Sequence, residues 1–216
     1  MTAEQAHDRY LAAIRAGSRR EALAVVDDAL REGMDARTLY LRVFQPSMHE
    51  IGRLWQENRI TVADEHLATA ITQLAMSRLY EELFGDRPEA GPLLVAACAE
   101  HERHELGLRM VCDLLELDGW DTVFLGASVP VEDLVEMVKE RRPEVVALSA
   151  SITPHLARVR EAVAAIREAM PDGGPVIAIG GRAFAGDAAL AERMGADLTA
   201  KDAVEVAERL KERFAA

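Results

Sequence analysis

The sequence predicts an α/β protein in two parts: an N-terminal four-helix bundle, then a doubly wound domain built on a parallel sheet. Three observations carry that prediction. The first 82 residues show helical spacing and no strand signal. A Pro/Gly-rich break follows. Beyond it, short apolar runs alternate with amphipathic stretches.

Residues 3–16 and 18–32 are rich in Ala, Leu, Arg and Glu, and each run stops at a glycine, Gly17 or Gly33, as helices commonly do. Asp35 can cap a third helix carrying Leu39, Leu41, Val43 and Phe44, which Pro46 must kink or restart because proline lacks the amide donor. Thr61 caps a fourth helix with Leu67, Ile71, Leu74 and Leu79 near helical spacing. The bundle is therefore assigned to 1–83. Residues 84–92, FGDRPEAGP, contain two prolines and two glycines and read as a linker.

In 93–216 the runs Leu93–Ala97, Thr122–Leu125, Val145–Leu148 and Val176–Ile179 are apolar at consecutive positions, as expected of strands buried on both faces of a parallel sheet. A weaker fifth strand is expected near Ala196–Thr199. Helices are expected over 105–117, 131–141, 155–169 and 201–214. This is the flavodoxin/Rossmann-like arrangement, in which ligands bind beyond the carboxyl ends of the strands.

Composition narrows the function. The 216 residues carry a formal charge of −12, which repels phosphate backbones, and no Lys/Arg-rich segment offers a local footprint for direct nucleic-acid binding. Cys98 and Cys112 lie in apolar runs and read as core residues. The N-terminal residues lack a signal-peptide layout, and no apolar stretch has membrane-spanning length, so a cytoplasmic protein is expected.

The loop after the first strand reads Glu102-Arg103-His104-Glu105-Leu106-Gly107. A histidine with an acidic residue two positions earlier suits metal ligation, because the carboxylate can hold the other ring nitrogen's proton. Gly107 leaves room for a bulky planar ligand near the start of the next helix. The third strand ends in Ser149-Ala150-Ser151-Ile152-Thr153 and the fourth in Gly180-Gly181. Taken singly, a surface histidine, a hydroxyl-bearing loop and a glycine turn are ordinary features. At three successive strand ends they form a pattern.

That pattern resembles the cobalamin-binding domain of methionine synthase, corrinoid methyl-transfer proteins and B12-dependent mutases: Asp-x-His-x-x-Gly, then Ser-x-Leu, then Gly-Gly. Glu102 stands here for the aspartate and Ser151 for the leucine. The resemblance implies His104 as lower cobalt ligand, Glu102 orienting it and Ser149 extending the hydrogen-bonded relay. Ser151, Thr153, Gly180 and Gly181 would line the slot for the cofactor's nucleotide tail.

Trp55 is followed by nine residues and then Glu65-His66. This spacing is similar to that in the helical cap of B12-dependent photoreceptors, where the tryptophan packs over the upper ligand and the Glu-His pair closes its pocket. Val62, one turn before His66, falls on the same face. The position after Trp55, often histidine in light-responsive repressors, is Gln56, so His66 or His49 is left as the upper ligand after illumination.

The resemblance implies a light sensor holding adenosylcobalamin, with methylcobalamin or hydroxocobalamin as alternatives. It would have no DNA-binding domain of its own and would signal through a protein partner such as a transcription regulator, as a monomer or homo-oligomer. The alternative is a corrinoid protein carrying methyl groups for partner methyltransferases; a mutase subunit fits less well. No residue set suggests an independent enzyme. His7 and His155 are expected to be solvated, and His101 to be a loop neighbour. Trp120 is expected to seal the domain edge.

Overall fold

The computed structural model of the chain describes residues 1–80, 91–184, 187–200 and 202–214, with the side chain of residue 188 excepted. It divides into two compact units, Met1–Asp86 and Arg87–Ala216. Residues 84–90 of the expected linker and 81–83 of the expected bundle lie outside the described residues. Among those described, no helix is long and apolar enough to cross a membrane.

In the first unit, α1 (Ala3–Arg15) begins in a capping box made by Thr2 and Gln5, and α2 (Arg19–Arg31) begins at Ser18. Gly17 and Gly33 take left-handed backbone, with φ of 65° and 84°, at the ends of these two helices. Asp35 caps the third helix as expected, its Oδ1 accepting the Thr38 amide at 2.6 Å, and Pro46 stands in the first turn of a restarted helix. The short α3 (Ala36–Thr38) runs through a π-helical segment, Leu39–Phe44, directly into α4 (Gln45–Gln56). An α-turn would push the Pro46 ring into the carbonyl four residues back, and the widened π-turn just before it relieves that clash. After a turn with Asn58 left-handed (φ 55°), α5 (Val62–Ser77) starts from a capping box of Thr61 and Asp64.

The unit's core is aromatic at its centre. Tyr10 and Phe44 meet as tilted rings with centroids 5.1 Å apart, and Tyr40 meets Phe44 edge-on at 5.6 Å, all three fully buried. The Tyr10 hydroxyl donates to Thr72 Oγ1 at 3.1 Å, so this buried polar group is satisfied.

The second unit holds five strands: β1 (Leu93–Cys98), β2 (Asp121–Gly126), β3 (Val145–Ser149), β4 (Val176–Gly180) and β5 (Leu198–Ala200). They form one parallel sheet in the order β2-β1-β3-β4-β5. The connecting helices are α6 (Leu106–Leu117), α7 (Val131–Arg141), α8 (Leu156–Ala169), α9 (Ala188–Arg193) and α10 (Ala203–Phe214).

Alternate strand residues feed two cores. Val95, Ala97, Val146, Leu148, Ile177 and Ile179 meet α7 and α8 on one face. Leu94, Ala96, Cys98, Val145, Ala147 and Ala178 meet α6 and α10 on the other, where Trp120 packs edge-to-face on Phe214 at 5.4 Å. β2 is only half-buried over most of its length, contrary to the expectation of two covered faces, because it is the sheet's edge strand.

Candidate functional site

The strand order makes β1 and β3 neighbours whose following helices, α6 and α8, lie on opposite faces of the sheet. The chain therefore leaves these two strands toward opposite faces, which is where such sheets usually bind ligands. Register aligns the strand ends: Cys98 pairs with Ser149, Ser149 with Gly180, and Gly180 with Ala200.

The loop from Ala99 to Glu105 is tied on both sides. Ala99 N–H donates to the Ser149 carbonyl at 3.0 Å, and Glu102 N–H turns back to the Ala99 carbonyl at 2.8 Å. His101, left-handed at φ 71°, donates its amide to Ser128 Oγ at 3.0 Å, while Ser128 N–H reaches the Glu102 carbonyl at 2.9 Å. These bonds bury Glu102 completely.

A buried carboxylate needs donors, and Glu102 has four. Its Oε1 accepts the His104 amide at 2.9 Å and His104 Nδ1 at 2.5 Å. Its Oε2 accepts the Ser151 amide at 2.6 Å and His155 Nδ1 at 3.0 Å. Burial alone would raise the carboxyl's pKa, but the bonds from His104, Ser151 and His155 outweigh it and hold the group ionised, far below the usual carboxylate range. With its Nδ1 proton held by Glu102, the His104 ring carries its lone pair on Nε2. The side chain is 48% exposed, so the ring is open to a ligand.

The extra methylene of Glu102 thus costs the histidine contact nothing. The expected relay is altered, though: Ser149, 8% exposed, is not among the partners of Glu102. Their place is taken by the Ser151 amide and His155. His155 is correspondingly not solvated, its side chain being 16% exposed. His7 is also less exposed than expected, at 24%, beside Asp8. His101 remains an exposed loop neighbour.

Ser151 is half-buried and Thr153 exposed, at the start of a 3-10 turn, Thr153–His155. Gly181 serves packing more than access. Its φ is 101°, and a Cβ there would lie 2.3 Å from the Ala150 carbonyl oxygen. At Gly180 a Cβ would meet the Ala200 carbonyl oxygen at 3.4 Å, an ordinary contact. Gly107, exposed in the first turn of α6, has nothing within 4 Å of a built Cβ, in keeping with the open space expected of it.

In the helical unit, Trp55 near the end of α4 is 39% exposed and Val62 at the start of α5 is 52% exposed. Glu65 Oε2 pairs with His66 Nδ1 at 2.6 Å, and Glu65 Oε1 accepts the Thr69 hydroxyl at 3.0 Å. The His66 ring is 75% exposed. Glu65 and His66 are thus joined within their own unit.

Among the described residues, no group of three or more His, Cys, Asp or Glu side chains is arranged to hold a bare metal ion. A lone imidazole with a buried carboxylate behind it instead suits a metal that brings its other ligands with it, as the cobalt of a corrinoid does. The donor set fits that group. His155 was missed in the sequence; the available signal was its position one residue ahead of α8, in the loop that leaves β3.

Comparison with known proteins gives two family matches, both described as a B12 binding domain, over residues 92–210 and 6–80. The chain is 31% identical to the HTH-type transcriptional repressor CarH of Myxococcus xanthus, over 89% of this chain and 62% of that protein. It is 33% identical to CarA of the same organism, over 68% of this chain and 48% of that one. It thus spans less than two thirds of either repressor. It is 26% identical to trimethylamine corrinoid protein 1 of Methanosarcina acetivorans, over 88% of both chains. The structure of the Methanosarcina barkeri monomethylamine corrinoid protein superposes with a TM-score of 0.86 at 22% identity, covering 99% of this chain and 100% of that one, a likeness of fold.

Proposed function

The chain belongs to the B12 binding domain family and binds cobalamin, and from that premise we propose that it is a cobalamin-dependent light sensor acting on a protein partner, with His104 as the lower cobalt ligand. The observation that carries the ligand assignment is the Glu102–His104 pair, a buried ionised carboxylate holding Nδ1 of a half-exposed imidazole. When bound, the corrinoid supplies a cobalt–carbon bond that visible light can cleave.

The chain's own residues do the rest. Glu102 fixes the His104 tautomer; Gly107 would leave room for the planar ring, Ser149 stands at the same strand end, and Ser151, Thr153, Gly180 and Gly181 would line the slot for the nucleotide tail. On the helical unit, Trp55, Val62 and Glu65 would be the residues offered to an upper ligand, adenosyl in this reading, and His66 the imidazole that could take its place after illumination. The Trp55-to-His66 spacing and the identity with CarH over most of this chain support the sensor. The partner would be a transcription regulator or similar effector, with no direct contact to DNA.

A second reading, a methyl carrier serving partner methyltransferases, has its own support: the likeness to trimethylamine corrinoid protein 1 runs over 88% of both chains.

One preparation tests both. Full chain loaded in the dark with adenosylcobalamin should give a histidine-ligated absorption spectrum, change that spectrum on illumination, and change elution on size exclusion. His66→Ala should alter the illuminated spectrum. No light response from adenosyl- or methylcobalamin forms would sink the sensor. Methyl transfer from loaded methylcobalamin to a thiol acceptor, in the presence of a methyltransferase, would then favour the carrier.

A further inference from the structure

We propose that His155 is a positioning residue for the lower cobalt ligand: it holds the Glu102 carboxylate from behind so that its other oxygen stays on His104. The inference rests on the reading of His104 as that ligand. Glu102 has one oxygen for each histidine: Oε1 takes Nδ1 of His104 at 2.5 Å and Oε2 takes Nδ1 of His155 at 3.0 Å. The two histidines are joined through a side chain with no exposure of its own.

His155 is built into this place. Its amide donates to the Ile152 carbonyl at 3.1 Å, closing the 3-10 turn, and Pro154 fixes the backbone beside it. The turn carries the ring back from β3 toward the β1 loop, spanning 53 residues of sequence to reach Glu102. Its side chain is 16% exposed, so the contact is largely shielded from water.

The consequence follows from the carboxylate's freedom. A carboxylate can rotate about its last torsion and exchange its oxygens. Two donors on Oε2 oppose that rotation. The Ser151 donor is backbone and persists in any variant at 155. His155 is the side-chain donor on that oxygen, and it makes the bond from Glu102 to His104 a fixed direction. A fixed Nδ1 proton keeps Nε2 as the ligating atom, the established way in which outer partners tune a metal-bound histidine.

The test uses full-length protein with 15N-labelled histidine, loaded with unlabelled cob(II)alamin and read by electron paramagnetic resonance. A protein histidine on cobalt splits the signal into doublets, whereas the cofactor's own 14N base gives triplets. Wild type should show doublets. In His155→Leu and His155→Ala a triplet fraction should appear, with affinity for cobalamin lowered about 10-fold, the lower end for outer partners of a metal ligand. His155→Asn, whose amide nitrogen lies near the Nδ1 position, should restore the doublets. A loss of stability alone would neither exchange the coordinating nitrogen nor be rescued by asparagine. Pure doublets and wild-type affinity in either folded deletion variant, or failure of asparagine to restore them, overturns the inference while His104 stands. Triplets in the wild type, shared with His104→Ala, overturn the His104 reading and this inference with it.

Discussion

Replacing Glu102 by glutamine keeps the side chain's shape and removes its charge, so it isolates what four donors around a buried carboxylate contribute. The amide oxygen can serve only one side. If it stays with His104, the new NH2 group faces the Ser151 amide and His155 Nδ1, which had both been donating. His155 can adopt its other tautomer and accept. The Ser151 backbone N–H cannot, and stranding it costs about 1–3 kcal/mol. Turning the remaining charge-assisted bonds into neutral ones takes roughly 1 kcal/mol more.

The expected loss at neutral pH is therefore about 2–4 kcal/mol, which for a chain of this size is a fall in Tm of roughly 5–15 °C. The pH dependence fixes the origin. Glu102 is held below its ordinary pKa of 4.5, so its stabilisation is complete above that value and is lost as pH falls toward the lower folded value. The gap between wild type and variant should thus narrow on going down from pH 4.5. Thermal melts of cofactor-free protein followed by circular dichroism, from pH 7 downward, measure it. A gap under about 2 °C at pH 7, less than 1 kcal/mol for this size, or a gap unchanged by acid, refutes the reasoning.

Three further outcomes follow from local geometry and burial. Gly181→Ala should destabilise the cofactor-free protein by at least ~2 kcal/mol, since left-handed strain alone costs about 1–3 kcal/mol and its Cβ would overlap the Ala150 carbonyl. Gly107→Ala, in open space in a helix, should stabilise the cofactor-free protein by about 0.5–1 kcal/mol, read as a slightly higher Tm, yet weaken cobalamin binding, read by titration calorimetry, if that space receives the cofactor. Cys98 and Cys112 are buried thiols, and burial raises both pKa values, Cys98 to about 12. A thiol reagent at pH 8 should label neither until the protein is unfolded, and rapid labelling of the native chain would contradict their burial.

Much of this was legible in the sequence, and what was not has identifiable causes. The strands were found because consecutive apolar residues such as Val145–Leu148 signal a covered parallel sheet. Val123-Phe124-Leu125 gave the same signal, but whether a strand lies at the edge depends on strand order, which no local pattern encodes. Helix α9 was missed because six residues after Asp187 are too few to show a period, although Asp187 caps it by accepting the Leu190 amide at 2.9 Å. The Glu102–His104 pair was readable because its members are two residues apart. His155 was not, since its partner lies in another loop and a proline-led turn gives no hint of direction. The π-turn before Pro46 also left no trace, as six apolar-rich residues fit either period.

That π-turn sets more than the path around a proline. An α-helix turns its side chains by a fixed angle per residue, so one added residue swings everything beyond it by about 100°. A π-turn takes up an added residue in a single wider coil, and the helix on either side keeps its phase. The stretch 39–44 thus acts as a vernier between Asp35, where the helix is anchored, and Trp55, near the end of α4. Shortening that stretch by one residue would close the coil into ordinary α-helix and leave Trp55 pointing where it does now. The same deletion a few residues later, within Gln45–Gln56, would turn the tryptophan away from the side it now presents.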